Sequence, residues 1–344
     1  MKVVCVGDAY ITPCMMREGV SPFLKARDEL EVLFFGEEDR EQMRQTVRLL
    51  ETGHRDRLPL PSGLLDAVQD AELLIVHLCP VTKPLLNAAP KLKAVLSCRG
   101  GQENLDVEAA TERGIIVSTN PAHNANAVAE YTLGLILCET RNIARSHFAL
   151  KNGEWRKVYP NTESAIHELK DLTVGIVGFG SVGRLVGAKL RALGCRILFS
   201  DPYCPDLSQE GCEKVSLDRL LELSDVVTLH ARADKAIIGE RELELLKPTA
   251  VLVNTARAHL IDTGALRRSL DKGRPLSVAL DVFDTEPDIP DFLRGYDNVT
   301  ITSHRAGDTI NSYKDAPAFA INNYLDYLEG NPLQFWVNKG SLQK

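Results

Sequence analysis

Three short segments in the later half of the chain carry side chains able to do chemistry. Arg257 closes Val253-Asn254-Thr255-Ala256-Arg257, and His304 stands in Ile301-Thr302-Ser303-His304-Arg305-Ala306-Gly307. Between them, Ala279-Leu280-Asp281-Val282-Phe283-Asp284-Thr285-Glu286-Pro287 holds three carboxylates. Moving a hydride to or from a hydroxyl-bearing carbon needs a group to exchange the hydroxyl proton, a group to hold that base, and a cation for the oxygens. An imidazole suits proton exchange near neutrality. A carboxylate hydrogen-bonded to the far ring nitrogen fixes the tautomer and favours the protonated ring. A guanidinium clamps a carboxylate through two parallel hydrogen bonds and polarises the neighbouring carbonyl, which lysine, lacking the planar fork, does not. Taken singly each residue is ordinary: a histidine after a strand is more often structural, and acidic residues at a turn are usually solvated. Their weight is joint, because all three segments end apolar runs that lie downstream of a nucleotide fingerprint.

That fingerprint is Gly178-Phe179-Gly180-Ser181-Val182-Gly183, directly after the strand-like Leu172-Thr173-Val174-Gly175-Ile176-Val177 and before a helical run to Leu193. In this context G-x-G-x-x-G is a strong signal. Gly178 permits the tight turn, Gly180 lets backbone approach a pyrophosphate, and Gly183 lets helix and strand pack closely. The N–H groups at Ser181, Val182 and Gly183 then face the phosphates. Asp201 ends the next strand, eighteen residues after Gly183. A carboxylate there accepts from the adenosine ribose hydroxyls and repels a 2′-phosphate, which predicts NAD over NADP. The alternative is a turn-forming Asp before Pro202.

The elements that must position these groups form two alternating series. The first has strand patterns near residues 2–7, 31–35, 72–78, 93–97 and 114–118, with helical patterns near 38–53 and 62–69. The second begins at 172 and continues near 196–200, 225–230, 250–254, 277–281 and 298–302. Strands alternating with helices imply parallel sheets covered by helices. The predicted fold is therefore α/β, with two doubly wound parallel-sheet domains, Rossmann-like and flavodoxin-like in kind. Asn120-Pro121 interrupts the first series. A helix over about 124–142 then bridges to the second, and an amphipathic pattern over about 309–328 predicts one last helix before Gly330-Asn331-Pro332. Too short to be a domain, that helix must pack on one of the sheets.

At 344 residues the chain exceeds what one core usually organises, which favours two domains. No apolar run approaches the roughly 20 residues that span a bilayer. A net charge of −7 argues against a general nucleic-acid or acidic-lipid footprint, so neither is expected as a partner. The start, Met1-Lys2-Val3-Val4-Cys5-Val6-Gly7, reaches a glycine turn too early for a secretory signal, and a cytoplasmic protein is expected. Eight cysteines show no C-x-x-C pair or zinc spacing; they read as reduced core thiols, and no metal is expected.

The segments 175–183, 253–257, 279–287 and 304–307, in this order and separation, resemble the D-isomer-specific 2-hydroxy acid dehydrogenases over nearly the whole chain. The resemblance implies Arg257 as substrate clamp, His304 as acid/base, Glu286 as its partner and Asp281 as a contact to the nicotinamide carboxamide. Thr255 and Ala256 fall on the cofactor side of the same strand end. It further implies a split substrate domain, residues 1–119 plus 308–344, around an NAD-binding domain, residues 120–307. The active site would lie in the cleft between them. The final helix would return to the first sheet, and two copies would pair as a homodimer through the bridging helix.

In the family the loop after the fourth strand offers backbone N–H groups to the substrate carboxylate. Here it reads Ser97-Cys98-Arg99-Gly100-Gly101-Gln102-Glu103. Gly100 and Gly101 can bring backbone close to an anion. Arg99 stands where a glycine is usual, either contacting the distal part of a substrate or pointing outward. His77-Leu78-Cys79 replaces the Arg-Ser pair of phosphoglycerate-oxidising members, which weakens 3-phosphoglycerate as substrate and places His77 among the substrate residues. Ala258-His259 replaces the double glycine after the catalytic arginine, with His259 lining the pocket or standing exposed. Asp8 either faces the cleft or caps a helix or turn. The expected activity is NAD-dependent hydride transfer at C2 of a small 2-oxo or 2-hydroxy acid. The alternatives are an NAD(H)-sensing, corepressor-like binding protein and a phosphite-type oxyanion dehydrogenase.

Overall fold

β1, Lys2–Gly7, is buried along almost its whole length, as a strand covered on both faces must be. It pairs in parallel with β2, Glu29–Phe34, on one side and β3, Leu73–Val76, on the other. β4, Ala94–Ser97, and β5, Ile116–Ser118, complete a five-stranded parallel sheet of order β2-β1-β3-β4-β5. These strands belong to a computed structural model of the chain, which describes residues 1–159, 167–204 and 211–342. The chain divides into two compact units, Met1–Asn124 with Thr309–Lys344, and Ala125–Asp308.

In the first unit, one face of the sheet is covered by the helices Arg40–Glu51 and Leu64–Ala67, whose Met43, Leu50 and Leu64 join Val4, Val6, Leu74 and Val76 in a core. The other face is covered by the helix Pro13–Val20 and by the chain's return. Ala316, Ala320, Ile321 and Tyr324 pack with Val3, Cys5, Leu73 and Ile75. Asn338 then fastens this return to the edge of β5: its Oδ1 accepts the Val117 N–H at 3.0 Å and its Nδ2 donates to the Ile115 carbonyl at 2.9 Å.

The second unit is a seven-stranded parallel sheet of order β12-β11-β10-β9-β6-β7-β8. Its strands are β6, Thr173–Val177; β7, Arg196–Ser200; β8, Cys212–Lys214; β9, Val226–Leu229; β10, Val251–Asn254; β11, Ser277–Leu280; and β12, Val299–Ile301. The helix Ala125–Arg141 belongs to this unit and packs against the helix Ser181–Ala192.

Two sequence expectations need correction. The single helix over 309–328 is two, Ile310–Lys314 and Ala316–Leu328, joined at Asp315. Pro317 has no N–H for the Tyr313 carbonyl and its ring crowds that position, so the first helix ends and a second starts with proline in its opening turn. The second series holds a seventh strand, β8, whose three residues are too few to show a period. None of the eight cysteines is in a disulfide, and six of them are buried. No helix among the described residues is long and apolar enough to cross a membrane.

Candidate active site

The three fingerprint glycines of the second unit stand in different surroundings, and two of them are required sterically. Gly178 has φ +89°, and a Cβ there would lie 2.5 Å from the Ala231 nitrogen. A Cβ on Gly183 would lie 2.2 Å from the Gly178 carbonyl, so only glycine lets the helix Ser181–Ala192 start this close to β6. A Cβ on Gly180 would meet nothing within 4 Å. That open space beside a helix N-terminus without a side-chain cap fits a pyrophosphate resting on backbone N–H groups. Asp201 at the end of β7 braces the loop: its Oδ2 accepts the Phe179 N–H at 2.7 Å, and its Oδ1 accepts from Tyr203 N at 2.8 Å, the turn-forming bond.

Past β12, His304 sits at φ +53°, a left-handed conformation that a side-chain-bearing residue adopts only when its surroundings impose it. Asp281, at the end of β11 and fully buried, imposes it. Its Oδ1 accepts from Arg305 N at 2.9 Å and from the Thr302 hydroxyl at 2.5 Å, and its Oδ2 accepts from Ala306 N at 2.8 Å. Held this way, His304 directs Nδ1 to Glu286 Oε2 at 2.8 Å, and Glu286 Oε1 accepts the Phe283 N–H at 2.9 Å. A carboxylate is acceptor-only, so Nδ1 carries the proton and Nε2 is the nitrogen left for a substrate.

Arg257 follows β10. Asn254 ties its turn, donating to the Arg257 carbonyl at 2.8 Å and accepting from Ala256 N at 3.0 Å. Among the described residues its guanidinium pairs with no carboxylate. Thr255 is buried, and its hydroxyl is engaged at 2.8 Å with that of Thr132 on the helix Ala125–Arg141. His259 is exposed and donates through Nε2 to the Ala233 carbonyl at 2.7 Å, joining the loops after β10 and β9.

Sequence reasoning missed two residues on the loop after β9. His230 is half-buried with its Nδ1 enclosed, its Nε2 lies 3.0 Å from the Thr228 hydroxyl, and desolvation of the ring pushes its pKa down to about 3. Arg232 is held below the ordinary guanidinium value by burial and then by the Arg257 charge. The pairing of the strands explains their nearness: Leu229 registers with Asn254, and each arginine follows three residues later. Only that register, which the sequence does not show, could have flagged Arg232.

In the first unit, Arg99 is 15% exposed on its side chain, with Nη2 3.4 Å from Glu103 Oε2 and Nη1 buried without a partner among the described residues. Gly100 packs so near Pro121 that a Cβ would come within 2.7 Å of its Cα. A Cβ on Gly101 would lie 2.1 Å from Glu103 Oε2. His77 is buried, and its Nδ1 meets Asp8 Oδ2 at 2.8 Å. Asp8 does not cap the helix Pro13–Val20, which Thr12 does. It accepts instead from Tyr10 N at 2.8 Å, Ile11 N at 3.1 Å and Leu78 N at 3.2 Å. Burial alone would raise its pKa, but His77 and these N–H groups outweigh burial and hold the carboxyl below the usual range. His123 and Asn120, after β5, were also missed. The His123 ring donates through Nδ1 to the Asn120 carbonyl at 2.9 Å, and burial lowers its pKa to about 4.

The second unit is thus that of a dinucleotide-dependent oxidoreductase. A family model described as the D-isomer specific 2-hydroxyacid dehydrogenase, NAD binding domain, matches residues 133–306. The chain is 33% identical over 292 residues to a glyoxylate reductase of Thermococcus litoralis, covering 82% of this chain and 88% of that protein. It is 37% identical over 283 residues to a D-3-phosphoglycerate dehydrogenase of Methanocaldococcus jannaschii, covering 80% of this chain but only 53% of that longer relative. Among solved structures, a glyoxylate reductase from Paecilomyes thermophila matches with 26% identity and a TM-score of 0.70, covering 99% of each chain. This chain belongs to the D-isomer specific 2-hydroxyacid dehydrogenase family, and the dinucleotide it takes is NAD.

Proposed function

We propose that the protein reduces a small 2-oxo acid to the D-2-hydroxy acid, or runs the reverse, with His304 as acid/base, Glu286 as its partner and Arg257 as substrate clamp. The observation that carries this reading is the His304–Glu286 bond at 2.8 Å, in the same unit as the glycine loop and an Arg257 that has no carboxylate partner among the described residues. Bound NADH supplies the hydride for C2. Arg257 holds the substrate carboxylate and draws electron density from the adjacent carbonyl. His304 gives the proton at Nε2 to the carbonyl oxygen as it becomes a hydroxyl, and Glu286 stabilises the charged ring at Nδ1 before transfer. The groups assigned to the cofactor are Gly178, Gly180, Ser181, Val182, Gly183, Asp201, Thr255, Ala256 and Asp281. Arg99, Gly100, Gly101 and His77 of the first unit are assigned to the substrate. Replacing His304 by Gln should abolish turnover while NADH still binds; a variant that keeps turnover would refute the assignment.

Two further readings belong to the same proposal. The protein is a homodimer: the stretch from 143 to 158 exposes Ile143, Phe148, Leu150, Trp155 and Val158, with Trp155 78% exposed, an apolar run suited to a second copy. Sedimentation at micromolar concentration should give twice the chain mass, and a monomer would refute it. It is cytoplasmic, a reading supported by eight cysteines outside any disulfide and tested by fractionation.

A further inference from the structure

In the second unit the order β10-β9-β6 places the loop after β9 between the loop that carries Arg257 and the glycine loop. It touches the glycine loop directly, since a Cβ on Gly178 would come within 2.5 Å of the Ala231 nitrogen. On its other side it is tied to the Arg257 loop at three levels. Leu229 registers with Asn254, whose side chain holds the Arg257 carbonyl at 2.8 Å. His259 Nε2 donates to the Ala233 carbonyl at 2.7 Å. Farther out, the Ile237 N–H reaches the Leu260 carbonyl at 2.9 Å. The middle tie needs a ring at 259; a glycine there would leave the two loops joined by backbone alone.

Arg232, on the loop so tied, has a fixed neighbour in Arg257. Both side chains are exposed, and neither pairs with a carboxylate among the described residues. The Arg232 guanidinium is held below its ordinary value by desolvation and then by the Arg257 charge. Like charges kept together by backbone bonds raise each other's energy, and an anion beside both relieves it. A monoacid brings one carboxylate, which Arg257 takes under the dehydrogenase reading, and Arg232 stays unmatched. The pyrophosphate of the dinucleotide is assigned its own donors at the start of the helix Ser181–Ala192.

We propose that Arg232, braced through His259, binds a second ionised group on the substrate, so that the preferred substrate is a 2-oxo acid with a carboxylate or phosphate on its tail. The planar fork of Arg232 suits either group. Both arginines belong to the second unit, so the pair of clamps is complete within it. The inference rests on the dehydrogenase reading above and names the substrate class for it.

The experiment compares kcat/KM with NADH for oxaloacetate, 2-oxoglutarate and 3-phosphohydroxypyruvate with that for glyoxylate and the apolar isosteres 4-methyl-2-oxopentanoate and 5-methyl-2-oxohexanoate. At least one dianion should exceed every monoacid by about tenfold or more, the low end for a charge-assisted pair. Added salt should shrink that preference. In Arg232→Gln the ratio of the best dianion to glyoxylate should fall about tenfold and lose most of its salt dependence, which a merely structural role for the side chain would not produce. In His259→Ala, which frees the Ala233 carbonyl, the same ratio should fall several-fold. Monoacids turned over as well as the dianions, or an unchanged ratio in Arg232→Gln, overturn the second clamp and leave the dehydrogenase standing. A loss in Arg232→Gln that is equal for every acid, with weaker NADH binding in a fluorescence titration, gives the guanidinium to the cofactor phosphates and overturns the second clamp likewise. No turnover of any 2-oxo acid, beside tight NADH binding, removes the dehydrogenase reading and the second clamp with it.

Discussion

Nδ1 of His304 lies 2.8 Å from Oε2 of Glu286, and the other Glu286 oxygen is pinned by the Phe283 N–H at 2.9 Å. The carboxylate is therefore fixed before it fixes the ring. Glutamine in its place keeps the shape but loses the charge that stabilises a protonated imidazole, and its amide can present the wrong group to Nδ1. Glu286→Gln should lower kcat by roughly 100-fold, the low end of what positioned acid–base catalysis contributes. NADH affinity, read by fluorescence titration, should change little. A kcat within threefold of the parent would remove Glu286 from the proton path.

Arg257 and Arg232 follow registered residues of neighbouring strands and repel one another, the first without a carboxylate partner among the described residues. Two such cations favour an anion that approaches both. Lysine at 257 keeps the charge but not the fork, so Arg257→Lys should reduce kcat/KM by about 100-fold, on the order of the charge-assisted pair it loses. Arg232→Gln should act mainly on KM, raising it several-fold, with a weaker dependence on added salt. Steady-state kinetics at two ionic strengths separate these outcomes; equal losses of kcat in both variants would contradict the division of roles.

The chain shows its chemistry more readily than its assembly. Gly178 and Gly183 are legible because their backbone demands select glycine, and the G-x-G-x-x-G spacing that includes Gly180 recurs where a strand turns into a phosphate-facing helix. Arg257, Glu286 and His304 are legible as side chains at strand ends, since apolar runs mark those ends whatever the sheet order. Asp8 and His77 are sixty-nine residues apart and meet only because β1 and β3 are neighbours, a fact of sheet order that no local pattern carries. Arg232 is hidden for the same reason. Asp281 reads from sequence as an acid near a turn, whereas its work of folding the His304 loop depends on three donors more than twenty residues downstream.

The cofactor-recognising role proposed for Asp201 would be tied to the shape of the glycine loop, because one of its oxygens accepts the Phe179 N–H at 2.7 Å. Asp201→Asn removes the charge that opposes a 2′-phosphate while leaving an oxygen for Phe179. The ratio of kcat/KM for NADH to that for NADPH should fall by at least tenfold, mostly through better use of NADPH. Asp201→Ala, which also loses the Phe179 bond, should in addition raise KM for NADH. Identical cofactor ratios in the parent and Asp201→Asn would show that selection against the phosphate lies elsewhere.

His230 gives the stability of the second unit a defined response to acid. Burial pushes its pKa down to about 3, so the folded unit keeps the ring neutral at any moderate pH. The unfolded chain takes up a proton there below about 6.5. As pH falls from that value towards 3, the unfolded state binds the proton that the folded state refuses. Stability is therefore fully present above about 6.5 and is lost progressively below it, by about 1 kcal/mol for each pH unit. His123, lowered to about 4, adds a loss of the same sign in the first unit, whereas the depressed Asp8 carboxyl adds its loss only in the more acidic range of a carboxylate. Urea midpoints measured between pH 7.5 and 5 should decline, and His230→Gln, which does not titrate, should flatten the part of that decline belonging to the second unit. Should the parent and His230→Gln lose stability in parallel across this interval, His230 is not the base that the unit must keep neutral.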